Sequence, residues 1–462
     1  KSTRFLLSPS SPMSMDYVLD SKLLANKENR YLVTVALENK FGKTAIRIPV
    51  IGKDSDKLNF GEPLNAADID SSIIGTCVHF KAATKPAFKG WLPWRMLIDR
   101  IAETGIKWIR GSAYLDTDED GKRHLRDYDR EWLDYAKSKG LDIVMVIPMG
   151  AKTSPEDFAS FAVDYVAETH AYCLVYELGN EPNNFGGWRD VFGGPWNGNE
   201  EDGSTSPWVH AFVKSTNLAA DTIKQSYPDV TLIGLGAAPP TNHRMLQIGI
   251  TKSLDGITCH PYSSSMPPER IPYHKNMMER DGVLAVTDEG SVDSLIENYL
   301  KRLRETGNAE SIWFTEFGFP THWQNGKNES GKFAAYTEHA QAAYLVRRIF
   351  NSMAYPEVDM LFQYAFLDEY GSHIAKMEAN FGLLRADYSP KPAYFAMQRL
   401  TSLIYGYHYS EQLTPEITHA PLQRAAKQSV LIEDWDGSPI NSDNSIRAYG
   451  FASPDAGKRP FI

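Results

Sequence analysis

The sequence is poor in cysteine, has no long apolar run and carries no excess of positive charge, and each shortage narrows what it can be. Only three cysteines, Cys77, Cys173 and Cys259, occur in 462 residues. An odd count cannot pair fully within the chain, and each lies in an apolar, strand-like stretch. Buried free thiols are therefore expected instead of a disulfide framework, and no metal-binding spacing is present. Cys259 precedes His260, but neighbours on a strand point to opposite faces, which separates thiol from imidazole. No stretch of eighteen or more apolar residues exists, so no transmembrane helix is expected. The net charge is -10 without any local Lys/Arg block, which argues against a nucleic-acid surface. Repeats and low-complexity tracts are also missing. The chain starts at Lys1 without a secretory leader; removal of such a leader fits a secreted, periplasmic or cell-surface protein, and that location is the expectation.

What is present is aromatic. Phe, Trp and Tyr make up 12% of the chain, enough to line a large core and still leave flat rings for stacking on sugar C–H faces. Apolar residues at 42% and charged residues at 23% describe a globular protein. Its length suits one large barrel of roughly 250–330 residues plus a smaller module.

The pattern changes along the chain accordingly. Residues 1–70 read as strands and loops, with apolar runs at 31–37 and 44–50 flanking a polar turn that contains Gly42, a plausible hairpin. From residue 71 to 403, strand-like and helix-like segments alternate. Strands are expected at 72–80, 106–110, 141–147, 173–178, 230–235, 256–260, 311–315 and 360–365. Helical periodicity or caps mark 91–103, 129–138, 208–226, 291–305, 334–350 and 393–403, and Ser154 with Asp157 marks a further helix start. Long insertions fall on the strand-to-helix side. This predicts a (β/α)8 TIM barrel. The tail, 404–462, returns to strands at 429–435 and 445–451. It is expected to join the N-terminal strands in one accessory all-β module built from both chain ends.

Two segments carry the chemistry. Tyr176-Glu177-Leu178-Gly179-Asn180-Glu181-Pro182-Asn183 follows expected strand four, and Trp313-Phe314-Thr315-Glu316-Phe317-Gly318 closes strand seven. A lone glutamate at a strand end is most often a rim salt bridge. Two of them, on strands that face each other across a barrel mouth, can flank one glycosidic bond. Pro182 is expected to hold Glu181 in an extended conformation. Glu181, if poorly solvated and near another carboxylate, is expected to have a raised pKa.

Asn180-Glu181-Pro182-Asn183 and Thr315-Glu316-Phe317-Gly318 resemble the strand-four and strand-seven motifs of the clan A superfamily of retaining glycoside hydrolases. The resemblance extends from about residue 71 to 403. It implies Glu181 as general acid/base, Glu316 as nucleophile, and Asn180 as the partner of a sugar 2-hydroxyl. Arg110, at the end of strand two, resembles the clan arginine that supports the nucleophile, while His260 and Tyr262 resemble its strand-six residues. Within the clan, the text around strands four, seven and eight is similar to family 39 and its exopolysaccharide-cleaving relatives, with family 79 sharing the strand-four text. The usual strand-eight tryptophan has no counterpart: Phe362, Tyr364 and Phe366 stand there, with Tyr364 as the substrate-facing candidate. His79, Trp188, Trp196 and Trp323 complete the expected substrate contacts.

These residues predict a retaining hydrolase acting on a β-linked polysaccharide or oligosaccharide, with endo action favoured by the long loops after strands four and six. An exo-acting β-glycosidase and a non-catalytic glycan-binding barrel are the alternatives. The chemistry needs neither a metal nor an organic cofactor.

Overall fold

The computed structural model describes residues 30–39, 42–51, 62–80, 93–288, 290–322, 335–369, 376–413 and 448–452. The chain divides into two compact units, residues 1–61 and 62–462. In the first, Arg30–Asn39 and Gly42–Ile51 pair as an antiparallel hairpin whose register closes at Asn39 opposite Gly42.

The second unit is built on a closed parallel barrel of eight strands: Ile74–Cys77, Trp108–Gly111, Asp142–Ile147, Val175–Leu178, Thr231–Leu235, Gly256–Cys259, Ile312–Phe317 and Val358–Gln363. We call these barrel strands one to eight. Each pairs with its neighbours in sequence, and strand eight closes on strand one through Leu361 opposite Ile74. Helices follow at Pro93–Ala102, Asp127–Ser138, Pro155–Thr169, Pro207–Ser226, Pro239–Ile248, Val292–Thr306, Glu338–Met353 and Pro392–Ile404. The expected TIM barrel is therefore observed.

Local chemistry explains the boundaries. Ser154 caps the helix Pro155–Thr169 by accepting from the Asp157 amide, and Pro155 occupies a first-turn position that needs no amide donor. Ser291 caps Val292–Thr306 in the same way. One helix, Pro239–Ile248, escaped the sequence reading. It is buried all round from Pro239 to Leu246, with Thr241, Asn242, His243 and Arg244 among the buried residues, so apolar periodicity is absent. Three of these side chains reach distant backbone, Thr241 Oγ1 donating to Asn197 O at 3.2 Å, Asn242 Nδ2 to Thr258 O at 2.9 Å and Arg244 Nε to Asp281 O at 3.0 Å, while the His243 ring stacks on that of Tyr299. A small hairpin, Leu115–Thr117 with Arg123–Leu125, was likewise unforeseen in the loop after strand two.

Alternation along the strands sorts the core into two layers. Cys77, Val144, Val175, Ile233, Trp313, Met360 and Phe362 pack together inside the barrel. The intervening residues, such as Tyr176, Leu178, Leu232 and Phe314, pack outward against the helices. Gly75 is required by this filling, because a Cβ there would lie 2.3 Å from the Phe362 ring. All three cysteines are free and buried, as expected. Cys259 faces the Tyr299 hydroxyl at 3.6 Å while His260 faces the barrel mouth, so the two side chains do diverge.

Near the C-terminus, His408–Leu413 pairs antiparallel with Ala448–Ala452, and Phe451 packs on Phe350 of the helix Glu338–Met353 at 5.5 Å between ring centroids. The strand expected at 429–435 lies outside the described residues. No helix among the described residues is long and apolar enough to cross a membrane.

Candidate active site

Strand parity turns Val175 and Glu177 into the barrel, and the chain then bends out of strand four at Gly179 to present Asn180 and Glu181 at the mouth. Pro182 does not hold Glu181 extended. Its φ is +40°, in the left-handed region, because the chain reverses here: the amides of Asn184 and Phe185 both donate to the Glu181 carbonyl at 2.8 Å, and Glu181 N is tied to Gly236 O at 3.2 Å. A non-glycine residue held in this conformation is strained, and such strain tends to gather at functional sites.

On strand seven, regular alternation would send Thr315 and Glu316 to opposite faces. The ladder with strand eight is irregular between Phe314 and Phe317, and both side chains reach the site. The irregularity is backed by Gly318, where a Cβ would sit 2.1 Å from the Tyr364 carbonyl oxygen.

Glu316 is 7% exposed and held from two sides. Arg110 Nη1 donates to Oε1 at 2.7 Å and Tyr262 OH to Oε2 at 2.9 Å. The other nitrogens of Arg110 also bind within this cluster: Nε meets Glu177 Oε2 at 2.5 Å and Nη2 meets Asn180 Oδ1 at 2.6 Å. Burial opposes the guanidinium charge, but Glu177 and Glu316 outweigh it and hold Arg110 protonated well above its ordinary range. Burial, reinforced by the Glu316 charge, pushes the Tyr262 hydroxyl up, so it stays a donor.

Glu181 has different company. His260 Nδ1 lies 2.8 Å from Oε1, and Asn184 Nδ2 donates to Oε2 at 2.8 Å. The expected rise in its pKa is not found. Burial pushes the carboxyl up, but the hydrogen bond and charge of His260, together with Asn184 and Arg110, bring it below the ordinary carboxylate value. Burial pulls His260 down, yet Glu316 and Glu181 raise it above 6.5. The pair therefore binds one proton between two sites and titrates as a unit.

One carboxylate oxygen each of Glu181 and Glu316 and a ring nitrogen of His260 lie within 4.8 Å of one another. Among the described residues this is the group whose donors could hold a metal ion, although the Glu181–His260 hydrogen bond already occupies two of the atoms a metal would need.

The chain shares its fold with a solved glycoside hydrolase. A family 39 glycoside hydrolase from the gut symbiont Bacteroides cellulosilyticus WH2 matches with a TM-score of 0.59 and 19% identity, over 92% of this chain and 75% of that one. A glucosidase from Croceicoccus marinus matches at 0.49 and 14%, over 85% and 75% of the two chains. A monomeric β-xylosidase from Caulobacter crescentus CB15 matches at 0.46 and 15%, over 76% and 73%. At 19% identity the first of these likenesses is one of fold. No protein-family profile and no curated protein matches the sequence.

Six of the residues expected from sequence thus converge: Glu181, Glu316, Asn180, Arg110, His260 and Tyr262. Tyr364 stands beside them, its ring 6.4 Å from that of Tyr262 and 5.5 Å from that of His79, which is exposed at the rim. Trp196 is connected through its Nε1, which donates to Asn184 Oδ1 at 2.7 Å. Trp188 is not brought to the site. It is 2% exposed, packed against Phe212 and Phe192, because it anchors the loop to the helix Pro207–Ser226. Trp323 lies outside the described residues.

Four neighbours went unread in the sequence: Glu177, Thr315, Asn184 and Glu378, the last accepting from Tyr364 OH at 2.8 Å. Only Glu177 carried a signal, as a charge in an otherwise apolar strand.

Proposed function

We propose that the protein is a retaining glycoside hydrolase that cleaves a β-linked polysaccharide or oligosaccharide by double displacement. The observation that carries this reading is the approach of Glu181 and Glu316 oxygens to within 4.8 Å. Carboxyl groups of retaining enzymes stand about 5–5.5 Å apart, whereas inverting enzymes need about 6.5–9.5 Å to admit a water.

The two environments divide the work. Glu316, fixed by Arg110 and Tyr262, attacks the anomeric carbon and forms a glycosyl ester. The Glu181–His260 pair supplies the proton taken up by the departing oxygen. In the second step Glu181 removes a proton from water, the water oxygen bonds to the anomeric carbon, and Glu316 leaves as carboxylate. Asn180 has its oxygen committed to Arg110, so its amide hydrogens remain to donate to a sugar 2-hydroxyl. Tyr364 and Trp196 supply ring surface beside the pair. Long loops after strands four and six favour endo action. A secreted, periplasmic or cell-surface location and an accessory β module formed from both chain ends are parts of the same proposal.

The test is a screen of purified β-glycans with reducing-end and product-size readout, followed by variants. Glu316→Gln is expected to lower hydrolysis at least about 1000-fold with the fold retained. Glu181→Gln is expected to harm substrates with poor leaving groups far more than activated aryl glycosides. Near-normal turnover in either variant contradicts the roles, and monosaccharide-only products contradict endo action.

A further inference from the structure

One buried acid is unused in this scheme. Glu177 is wholly buried, and both of its oxygens are engaged. Oε2 receives Arg110 Nε at 2.5 Å, and Oε1 receives the Thr315 hydroxyl at 2.9 Å. Each partner leads to a different member of the site. Arg110 continues to Glu316 and Asn180. Thr315 Oγ1 lies 3.1 Å from His260 Nε2, and His260 Nδ1 lies 2.8 Å from Glu181.

The second arm has a direction. A carboxylate only accepts, so Thr315 must spend its single hydroxyl proton on Glu177. Its oxygen is then left to accept from His260, which requires a hydrogen on Nε2. In the neutral imidazole this leaves Nδ1 bare, facing Glu181 Oε1, where it can accept a carboxylic proton. We propose that Glu177 is a positioning residue that, through Thr315, fixes a hydrogen on His260 Nε2 and so keeps the proton that the pair delivers between Nδ1 and Glu181. The proposal rests on the hydrolase reading for its consequence, but the tautomer itself does not.

The other groups around Glu177 fit this arrangement. On strand two, Arg110 neutralises it. On strand one, the Cys77 thiol donates to the Thr315 carbonyl at 3.2 Å, and burial pushes that thiol's pKa up so that it adds no charge. On strand seven, Glu316 is turned towards Arg110 and Tyr262.

Glu177→Gln keeps the shape and reverses the polarity. Its amide oxygen accepts from Arg110, its amide nitrogen donates to Thr315, and the Thr315 hydroxyl must then donate to His260 Nε2. The neutral ring carries its hydrogen on Nδ1, pointing at an ionised Glu181. Nitrogen-15 NMR of histidine-labelled full-length protein reads this directly, with the His260 signal assigned by its loss in His260→Asn. At a pH where the ring is neutral, wild type is expected to show hydrogen on Nε2 and Glu177→Gln hydrogen on Nδ1. Wild type with hydrogen on Nδ1, or a variant with unchanged tautomer, overturns the proposal whatever the enzyme's substrate. Kinetically, Glu177→Gln is expected to lower kcat/KM about 100-fold for a phenyl glycoside and at least tenfold less for a dinitrophenyl glycoside. A merely structural role would lower both alike. If Glu177→Gln does not fold, Thr315→Val removes the same link without touching a charge and is expected to give the same leaving-group bias, with Thr315→Ser restoring it. Equal losses on both substrates in folded Thr315→Val would refute the relay, while loss of all glycoside cleavage by wild type would refute only the hydrolase reading.

Discussion

The acid proposed for this site is better described as two residues than one. Glu181 alone is held below its ordinary pKa, so a view of it as an isolated protonated carboxyl does not match its surroundings. His260 is raised above 6.5, and its Nδ1 contacts Glu181. A one-proton pair persists from the lower value to the upper one, and the basic limb of kcat/KM reports loss of that proton. Wild type is therefore expected to keep its activity to a pH above 6.5. In His260→Asn, Glu181 must hold the proton unaided, and the basic limb should move acidward by at least about one pH unit, towards the range of a buried carboxyl. A pH–rate profile of kcat/KM on a phenyl glycoside, whose poor leaving group needs the proton, measures this, and an unmoved limb would remove His260 from the proton inventory. None of this was legible in the sequence beyond the presence of both residues. His260 and Glu181 are 79 positions apart, and the sign of each shift depends on which nitrogen meets which oxygen.

At the scale of elements, most of the barrel was legible and the exceptions share a cause. Strand–helix alternation, caps such as Ser154 and Ser291, and apolar runs are local signals, and the corresponding elements appear within a few residues of their expected limits. Pro239–Ile248 was missed because it is buried all round with polar residues such as Asn242 among the buried ones, which erases the apolar stripe. Glu177 was missed because its partners come from strands two and seven, which only closure of the barrel brings together. Trp188 was expected to contact substrate because local sequence does not tell a ring turned outward from one turned into the core. Closure also sets tight limits on the barrel interior. Gly75 on strand one and Phe362 on strand eight fill one space, with 2.3 Å between the ring and any added Cβ. Gly75→Ala is expected to destabilise the fold by about 1–3 kcal/mol through overpacking. Adding Phe362→Leu should recover part of that loss despite being destabilising alone. Urea denaturation of the four members of this cycle gives the coupling, and strictly additive effects would show that the ring relaxes freely.

For the molecule as a whole, the same proton pair links the proposed catalysis to stability. Glu181 is lowered on folding, so its contribution is present above the unfolded value near 4.5 and is lost as pH falls through the lower folded value. His260 is raised on folding, so its contribution is complete below 6.5 and is lost as pH climbs through the higher folded value. Both contributions overlap between about 4.5 and 6.5, the window in which the pair stabilises the protein most. Other buried acids and bases also titrate. Burial raises Asp368 and lowers Lys391, for example, and the two form an ion pair at 2.8 Å far from this network in sequence. Such terms are common to wild type and His260→Asn and cancel in the difference between their melting curves. The Tm difference is accordingly expected to be greatest between pH 4.5 and 6.5 and to shrink on both sides, by roughly 1 °C for each kcal/mol of linkage lost. Calorimetry across pH 4 to 9 reads that profile. A Tm difference that stays level through this range would mean that His260 packs beside Glu181 without sharing its proton, and the acid would have to be sought elsewhere on the rim.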